Sequence, residues 1–552
     1  MCSNNTKDFS SLYQKEDTIL HIEKIKEINK IIKNINKFFA YVITGIENEK
    51  KMELYLYFLK NIIINKKQIL ILVPEIKLIS KIVKHFYKKI NIKIDILHSK
   101  LSQKEKLNIW LKIKNNKTSL VIGTRSAIFS PFPCLGLIIL DEEHDTSYKE
   151  QKGCRYHTRD LAIFRAKKEN IPIIISSLTP TLETLYNVHC GKYYYLNFQL
   201  CSSNKKKNIF NKIINIKNIK NNCYLSSQLI NSMKTHLNNN NQVLLFLNKR
   251  GHSSTIICDI CGWISKCYIC NRHYTFHYFL LQLRCHYCNK KSSVPLYCMK
   301  CGSNFLKFLG TGIEQLEKQL NVLFPGIPIL RIDSDSSKEN NILNKNINNY
   351  KNSYIFIGTK MILEKNCFSN ITLIGLLNID NFLLSPNFRS IEQFAHFYIK
   401  IMKYIKNYDK NNEIFIQTHY PKNNFLQTLI YEGYFKLARK ILLERKIASL
   451  PPFTKHVVFF AKDINIQKVE KFLIYIRQNL EKKFIKDKFL WIMGPCPASK
   501  YKSYRDFQYV LLIQHFSRKK LYMIIKNSLI FIKNLSFKLK VKWFLDIDPI
   551  EF

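Results

Sequence analysis

Glycine is scarce in this chain, 15 residues in 552, while Lys, Asn and Ile dominate, a compositional bias that spreads lysine over surfaces whatever their function. No apolar run approaches the ~18 uncharged residues that a membrane span needs. The opening MCSNNTKDFSSLYQKED lacks the basic-then-apolar order of a secretory signal. These absences exclude a membrane partner by span and make the cytoplasm the expected location. Acidic residues are also few: 40 Asp and Glu face 87 Lys and Arg, a formal net charge of +47. Part of that surplus belongs to the bias, and the rest points to a polyanion partner, nucleic acid first.

Hydrophobic residues make up 46%, ordinary for a chain that buries real cores. At one domain per ~150 residues the length suggests three or four domains. Sixteen cysteines raise the question of disulfides. Eight of them fall as four C-x-x-C pairs between Cys258 and Cys301, which in a long chain without a signal points to metal instead.

Short apolar runs separated by helix-length segments predict strands at Phe39 to Thr44, Gln68 to Val73, Leu120 to Gly123, Leu137 to Leu140 and Ile171 to Ser176. That alternation predicts a parallel sheet covered by helices. A second α/β pattern starts at Gln242, is interrupted by the cysteine block, and resumes with strands at Ile327 to Ile332, Tyr354 to Ile357 and Leu373 to Leu377. The expected organisation is a remnant or linker over 1–36, a first lobe over 37–199, a basic linker over 200–225, a second lobe over 226–445 carrying a module at 256–305, and a C-terminal domain over 446–552.

The cysteine pairs are Cys258/Cys261, Cys267/Cys270, Cys285/Cys288 and Cys298/Cys301. Zinc takes four tetrahedral ligands and prefers thiolates in structural sites. The inner pairs have near zinc-ribbon spacing, which leaves the outer pairs to close a second site. Nested pairing is economical, interleaving stays open, and two Zn²⁺ are expected either way. His273, His277 and His286 are spare donors beside eight sufficient thiols.

Residues 137–151, LIILDEEHDTSYKEQ, read as an apolar strand ending in carboxylates. In P-loop motors the Asp at such a strand end holds Mg²⁺ and the next Glu polarises the attacking water. Asp141 and Glu142 fit those roles, and ATP with Mg²⁺ would be the cofactors of an active motor. The matching phosphate loop is Gly45-Ile-Glu-Asn-Glu-Lys-Lys-Met52, with Gly45 at the first glycine and Lys51 at the phosphate lysine. Lys50 stands where a glycine should precede that lysine, and Met52, which cannot ligand Mg²⁺, stands where a hydroxyl should follow. Glu47 and Glu49 oppose phosphate by charge.

These residues carry a family resemblance. Leu72-Val-Pro-Glu-Ile76, Ile122-Gly-Thr-Arg-Ser-Ala127, Asp141-Glu-Glu-His144, Arg155-Tyr-His-Thr-Arg-Asp160, Thr179-Pro-Thr-Leu-Glu183, Leu247-Asn-Lys-Arg-Gly251, Cys261-Gly-Trp263, Asn387-Phe-Arg389 and the ending Val541-Lys-Trp-Phe-Leu-Asp-Ile-Asp-Pro549 resemble the bacterial primosomal replication-restart helicases of the PriA type. The resemblance runs from about residue 20 to residue 552. It implies two RecA-like superfamily 2 lobes, a two-zinc module inserted in the second, and a C-terminal α/β domain. It also implies nested zinc pairing, with Cys258, Cys261, Cys298 and Cys301 on one ion and Cys267, Cys270, Cys285 and Cys288 on the other. By resemblance the function is binding of abandoned DNA forks, ATP-driven unwinding 3′ to 5′, and reloading of the replicative helicase. The implied partners are forked and single-stranded DNA, primosome proteins, single-stranded DNA-binding protein and helicase-loading proteins. Tyr148, Tyr156, His157 and Arg159 sit on positions of the family's aromatic-rich loop, which senses single-stranded DNA, with Cys154 replacing its tryptophan.

The sequence also departs from the family. The 3′-end-binding and winged-helix domains do not precede the first lobe, so that 3′-end reading is expected to be lost or supplied elsewhere. The arginine-finger motif aligns with Lys400-Ile-Met-Lys-Tyr-Ile-Lys-Asn407, where Tyr404 and Asn407 replace both arginines. An arginine finger is worth ~10³ to 10⁵ in rate. Glu364-Lys-Asn-Cys-Phe368 replaces a further motif. The family argues for a helicase, and the replaced residues argue for an inactive zinc-containing fork-binding scaffold.

Overall fold

Strands that are apolar at every position cannot leave one face in water, so they pair in parallel beneath helices on both sides. Ala40–Thr44, Gln68–Leu72, Leu120–Gly123, Leu135–Asp141 and Ile173–Ser176 are buried along their whole length. In the computed structural model, residues 29–550 are described except 30, 33, 35, 47, 91, 199–208, 217–223, 248–254, 259, 269–273, 278–281, 286–289, 310–312, 333–352, 360–369, 386, 403, 406–410 and 499–506. The chain divides into two compact units, Met1–Asn204 and Lys205–Phe552.

The first unit holds a seven-stranded sheet built from β1 (Ala40–Thr44), β2 (Gln68–Leu72), β3 (Ile94–Leu97), β4 (Leu120–Gly123), β5 (Leu135–Asp141), β6 (Ile173–Ser176) and β7 (Tyr194–Asn197). Its order is β3-β4-β2-β5-β6-β1-β7, with every neighbouring pair parallel. This is the expected first lobe. β5 lies between β2 and β6, so Asp141 emerges at the centre of the sheet's carboxyl edge. Gly123 ends β4 where an added Cβ would stand 2.4 Å from Ala127 Cβ and 2.7 Å from the Leu97 carbonyl oxygen. That close approach explains the glycine in Ile122-Gly-Thr-Arg.

The second unit carries a six-stranded all-parallel sheet of β8 (Ile209–Asn215), β9 (Gln242–Leu247), β15 (Ile329–Ile332), β16 (Tyr354–Gly358), β17 (Ile371–Leu377) and β18 (Asn412–Thr418), in the order β15-β16-β9-β17-β18-β8. Residues 209–215 were expected within a basic linker and instead form its edge strand, paired with β18 from Ile209↔Asn412 to Asn215↔Thr418. Lysine and asparagine in that segment suit an edge, where one side needs no ladder partner and charge deters further pairing.

Between β9 and β15 lies the cysteine module. Its base is the antiparallel pair β10 (Thr255–Cys258) and β14 (Leu306–Leu309), and a three-stranded antiparallel sheet follows from β11 (Thr275–His277), β12 (Gln282–Arg284) and β13 (Lys291–Ser293). The chain ends in a four-stranded antiparallel sheet of β19 (Lys455–Asp463), β20 (Trp491–Pro497), β21 (Phe507–His515) and β22 (Lys542–Ile547), in the order β20-β21-β19-β22. The helices Ile466–Lys483 and Arg518–Leu539 bury their apolar stripes in a shared core with this sheet.

Candidate nucleotide site and metal centre

The turn after β1 places Gly45 at φ +78°, a left-handed backbone that glycine adopts without strain. The helix Asn48–Ile64 then puts Lys51 and Tyr55 one turn apart on the same face. That face looks at the end of β5. Lys51 Nζ lies 2.7 Å from Asp141 Oδ1 and 3.0 Å from Glu142 Oε1. The phenol of Tyr55 donates to Asp141 Oδ1 at 2.9 Å. Burial disfavours the Lys51 charge, but Asp141 and Glu142 outweigh it and hold the ammonium above its ordinary pKa. Burial, helped by Asp141, likewise raises the phenol of Tyr55, so it remains a donor.

Glu142 has φ +48°, an uncommon conformation for a non-glycine residue. The neighbouring bonds hold that turn in place. Glu143 N–H donates to the Ser176 carbonyl at 3.2 Å. The Glu143 carboxylate accepts from Thr181 N–H at 2.6 Å and faces Arg159 Nη1 at 3.4 Å. His144 Nδ1 lies 2.7 Å from Ser177 Oγ. The acidic turn is thus hooked onto the Ser-Ser-Leu-Thr-Pro-Thr stretch after β6. Sequence reading missed Tyr55, Glu143, Ser177 and Thr181. Tyr55 offered a signal in its helical spacing from Lys51, and Glu143 and Thr181 lie within the Asp141 to His144 and Thr179 to Glu183 motifs.

Met52 packs partly buried against the core of the lobe, and it brings no oxygen to the carboxylates. One ammonium and two carboxylates in mutual contact nevertheless fit a phosphate and a divalent cation. Glu47 and the side chain of Glu49 lie outside the described residues.

The four aromatic-loop positions separate. Tyr148 is fully buried, its single hydroxyl proton shared between the carbonyls of Asp141 at 2.6 Å and Leu72 at 2.9 Å. Its ring braces β2 against β5, so a base has no access to it. Arg159 is buried on Glu143, Thr181 Oγ1 at 2.7 Å and Asp160 at 3.1 Å. Burial pushes His157 down to about 3, with Arg159 adding to the effect, so its ring is neutral at working pH. Tyr156 and His157 both keep some exposed surface, and the Tyr156 ring is edge-on to the exposed Phe129 at 5.0 Å. Of the expected set, Tyr156 and His157 thus reach the surface while Tyr148 and Arg159 are buried, and Phe129 is an unforeseen neighbour of Tyr156. In the second unit Tyr404 follows the helix Ser390–Met402. Asn407 and the segment Glu364 to Phe368 lie outside the described residues.

In the cysteine module the ligand atoms of Cys258, Cys261, Cys298 and Cys301 all lie within 4.8 Å of one another. Cys258 Sγ to Cys301 Sγ and Cys261 Sγ to Cys298 Sγ are each 3.5 Å. Thiolates on a tetrahedral zinc with Zn–S of ~2.3 Å stand about 3.8 Å apart, so the four fit one ion. The outer pairs therefore close together, as nesting requires. Cys267 and Cys285 are both buried in the module's small core with Tyr274, Phe276 and Leu283. Their companions Cys270 and Cys288, with His273 and His286, lie outside the described residues, as does the side chain of His277.

A helicase domain model, DEAD/DEAH box helicase, matches residues 51–188, from the phosphate lysine past the acidic turn. The replication restart protein PriA of Haemophilus influenzae is 38% identical over 514 residues, covering 93% of this chain and 70% of that protein. The chain belongs to the PriA family. The PriA of Buchnera aphidicola subsp. Schizaphis graminum is 37% identical over 94% of this chain and 72% of its own length. For Bacillus subtilis PriA the figures are 31%, 75% and 52%. The expected fold class, two α/β helicase lobes with an inserted cysteine module and a C-terminal domain, holds for this PriA-family chain. Among the described residues no helix is long and apolar enough to cross a membrane.

Proposed function

We propose that the chain is a replication-restart protein that binds stalled or abandoned DNA forks and unwinds DNA 3′ to 5′ with ATP, so that the replicative helicase can be reloaded. The observation that carries this is the convergence of Lys51 on Asp141 and Glu142 at the centre of a parallel lobe, in a PriA-family chain. Lys51 would exchange its carboxylates for phosphate, Asp141 would face the cation, Glu142 would orient a water and take its proton, and Gly45 would let the loop turn. When bound, ATP would supply the phosphoryl group and the free energy of its transfer, and Mg²⁺ would neutralise the charge that develops on the phosphate oxygens.

Zinc fits the outer cysteines, and a second ion on Cys267, Cys270, Cys285 and Cys288 completes the proposed pair. The domain limits 37–199, 226–445 with module 256–305, and 446–552 are proposed with one change: the second lobe starts at β8. A cytoplasmic location and contacts with primosome proteins, single-stranded DNA-binding protein and helicase loaders belong to the same reading. Support for a DNA partner comes from the C-terminal domain. From Lys455 to Phe552 it has twenty Lys and Arg against eight Asp and Glu. There Phe489 and Trp491 both meet Phe516, at 5.7 and 5.6 Å, and all three rings are exposed. Exposed rings among cations suit stacking of unpaired bases.

The replacements Lys50, Met52 and Tyr404 favour a second reading, a catalytically inactive fork-binding scaffold. ATP hydrolysis with and without forked DNA decides between them, measured beside Lys51→Ala and Asp141→Asn. DNA-stimulated turnover lost in both variants is the expected result. Turnover no higher than in the variants, with fork binding retained, would overturn the helicase reading in favour of the scaffold.

A further inference from the structure

Position 52 lacks the hydroxyl that a phosphate loop sets beside the metal-holding carboxylate, yet Asp141 does not lack a hydroxyl. Tyr55, three residues further along the helix, supplies one. Its ring is fully buried in the lobe core, and its phenol donates to Asp141 Oδ1 at 2.9 Å. Lys51 reaches the same oxygen, at 2.7 Å. Both bonds land on Oδ1, so Oδ2 takes none from the described residues. Meanwhile the Met52 side chain packs, partly buried, against the core.

We infer that Tyr55 is the positioning residue that anchors Asp141 for a divalent cation, in place of the hydroxyl missing at position 52. The inference rests on the nucleotide reading above. A carboxylate on a strand end rotates about its side-chain bonds. A bond to one oxygen from a packed ring removes that freedom and leaves the other oxygen directed for a cation. When Lys51 moves to phosphate, Tyr55 is the remaining donor on Oδ1 among the described residues. The phenol cannot replace a ligand to the metal itself, so the chain should need more Mg²⁺ than a loop with Thr at position 52.

The test is binding of a fluorescent ADP analogue to the full chain as Mg²⁺ is titrated, for the parent, Tyr55→Phe and Met52→Thr. Tyr55→Phe keeps the ring and removes the bond. It is expected to raise the Mg²⁺ half-saturation about tenfold, the order set by one hydrogen bond to a charged group, and to leave Mg²⁺-free nucleotide affinity unchanged. Met52→Thr is expected to lower the half-saturation in the parent and to restore it in Tyr55→Phe. An unchanged Mg²⁺ requirement in Tyr55→Phe, or equal loss of Mg²⁺-free and Mg²⁺-dependent binding, would overturn the inference. A parent that binds no nucleotide at any Mg²⁺ would overturn the nucleotide reading itself, and is told apart because it needs no variant. Should Tyr55→Phe fail to fold, 3-fluorotyrosine at position 55 serves. Its ¹⁹F signal should shift with Mg²⁺ at the half-saturation of nucleotide binding, and a signal indifferent to Mg²⁺ would sink the role.

Discussion

The nucleotide site of the first unit and the cysteine module of the second were built by different means, and they tolerate sequence change differently. The module's metal centre uses side chains only. Four thiols at fixed spacing suffice, and the outer four converge within 4.8 Å. The nucleotide site divides its work between a backbone loop and side chains. The side chains Lys51, Asp141 and Glu142 have met as the chemistry asks. The loop has Lys50 and Met52 where glycine and a hydroxyl belong. A site that depends on backbone amides shows its damage in the sequence, but side-chain partners from elsewhere can offset part of it, as Tyr55 does beside Asp141.

The comparison breaks first at the metal. The parent should carry about two zinc ions, and Cys298→Ser should lose one and open residues 255–309 to protease, because structural zinc supplies folding energy outright. Metal analysis returning less than one ion for the parent, or an unchanged count in the variant, would remove the centre.

A smaller effect belongs to the nucleotide site. Lys51→Ala leaves the nearly buried Asp141 beside Glu142 without its cation, and should cost about 3 kcal/mol in denaturant unfolding of the first unit. A variant as stable as the parent would mean that the pair is not formed in solution.

The smallest effect is a pH dependence in the same unit. His157 titrates near 3 in the fold and at 6.5 when unfolded, chiefly through burial. Between those values the unfolded chain binds a proton that the fold refuses, so stability falls as pH drops from about 6.5 toward 3. His157→Gln should flatten that slope in thermal melts from pH 7 to 4. An unchanged slope would place the acid sensitivity elsewhere, for instance at His456, which burial lowers to about 4.

Much of the first lobe was legible. The predicted Leu120 to Gly123 strand matches β4, and the Gln68 to Val73 run differs from β2 by one residue. Runs that are apolar throughout need both faces covered, and this marks them in any context. β8 was not legible, because Ile-Phe-Asn-Lys-Ile-Ile-Asn reads as a basic linker until β18 lies beside it. The four aromatic-loop residues looked alike in sequence. Burial sends Tyr148 and Arg159 inward and leaves Tyr156 partly open.

By itself the sequence determined the eight candidate thiols, the parallel α/β class of both lobes and the family. Those follow from residue type and spacing, which are local properties. Tertiary structure decided which oxygen of Asp141 is occupied, which aromatic rings meet solvent, and which cysteine pairs face one another. Those depend on distances between segments far apart in the chain, such as the 86 residues separating Tyr55 from Asp141, and no local pattern encodes them.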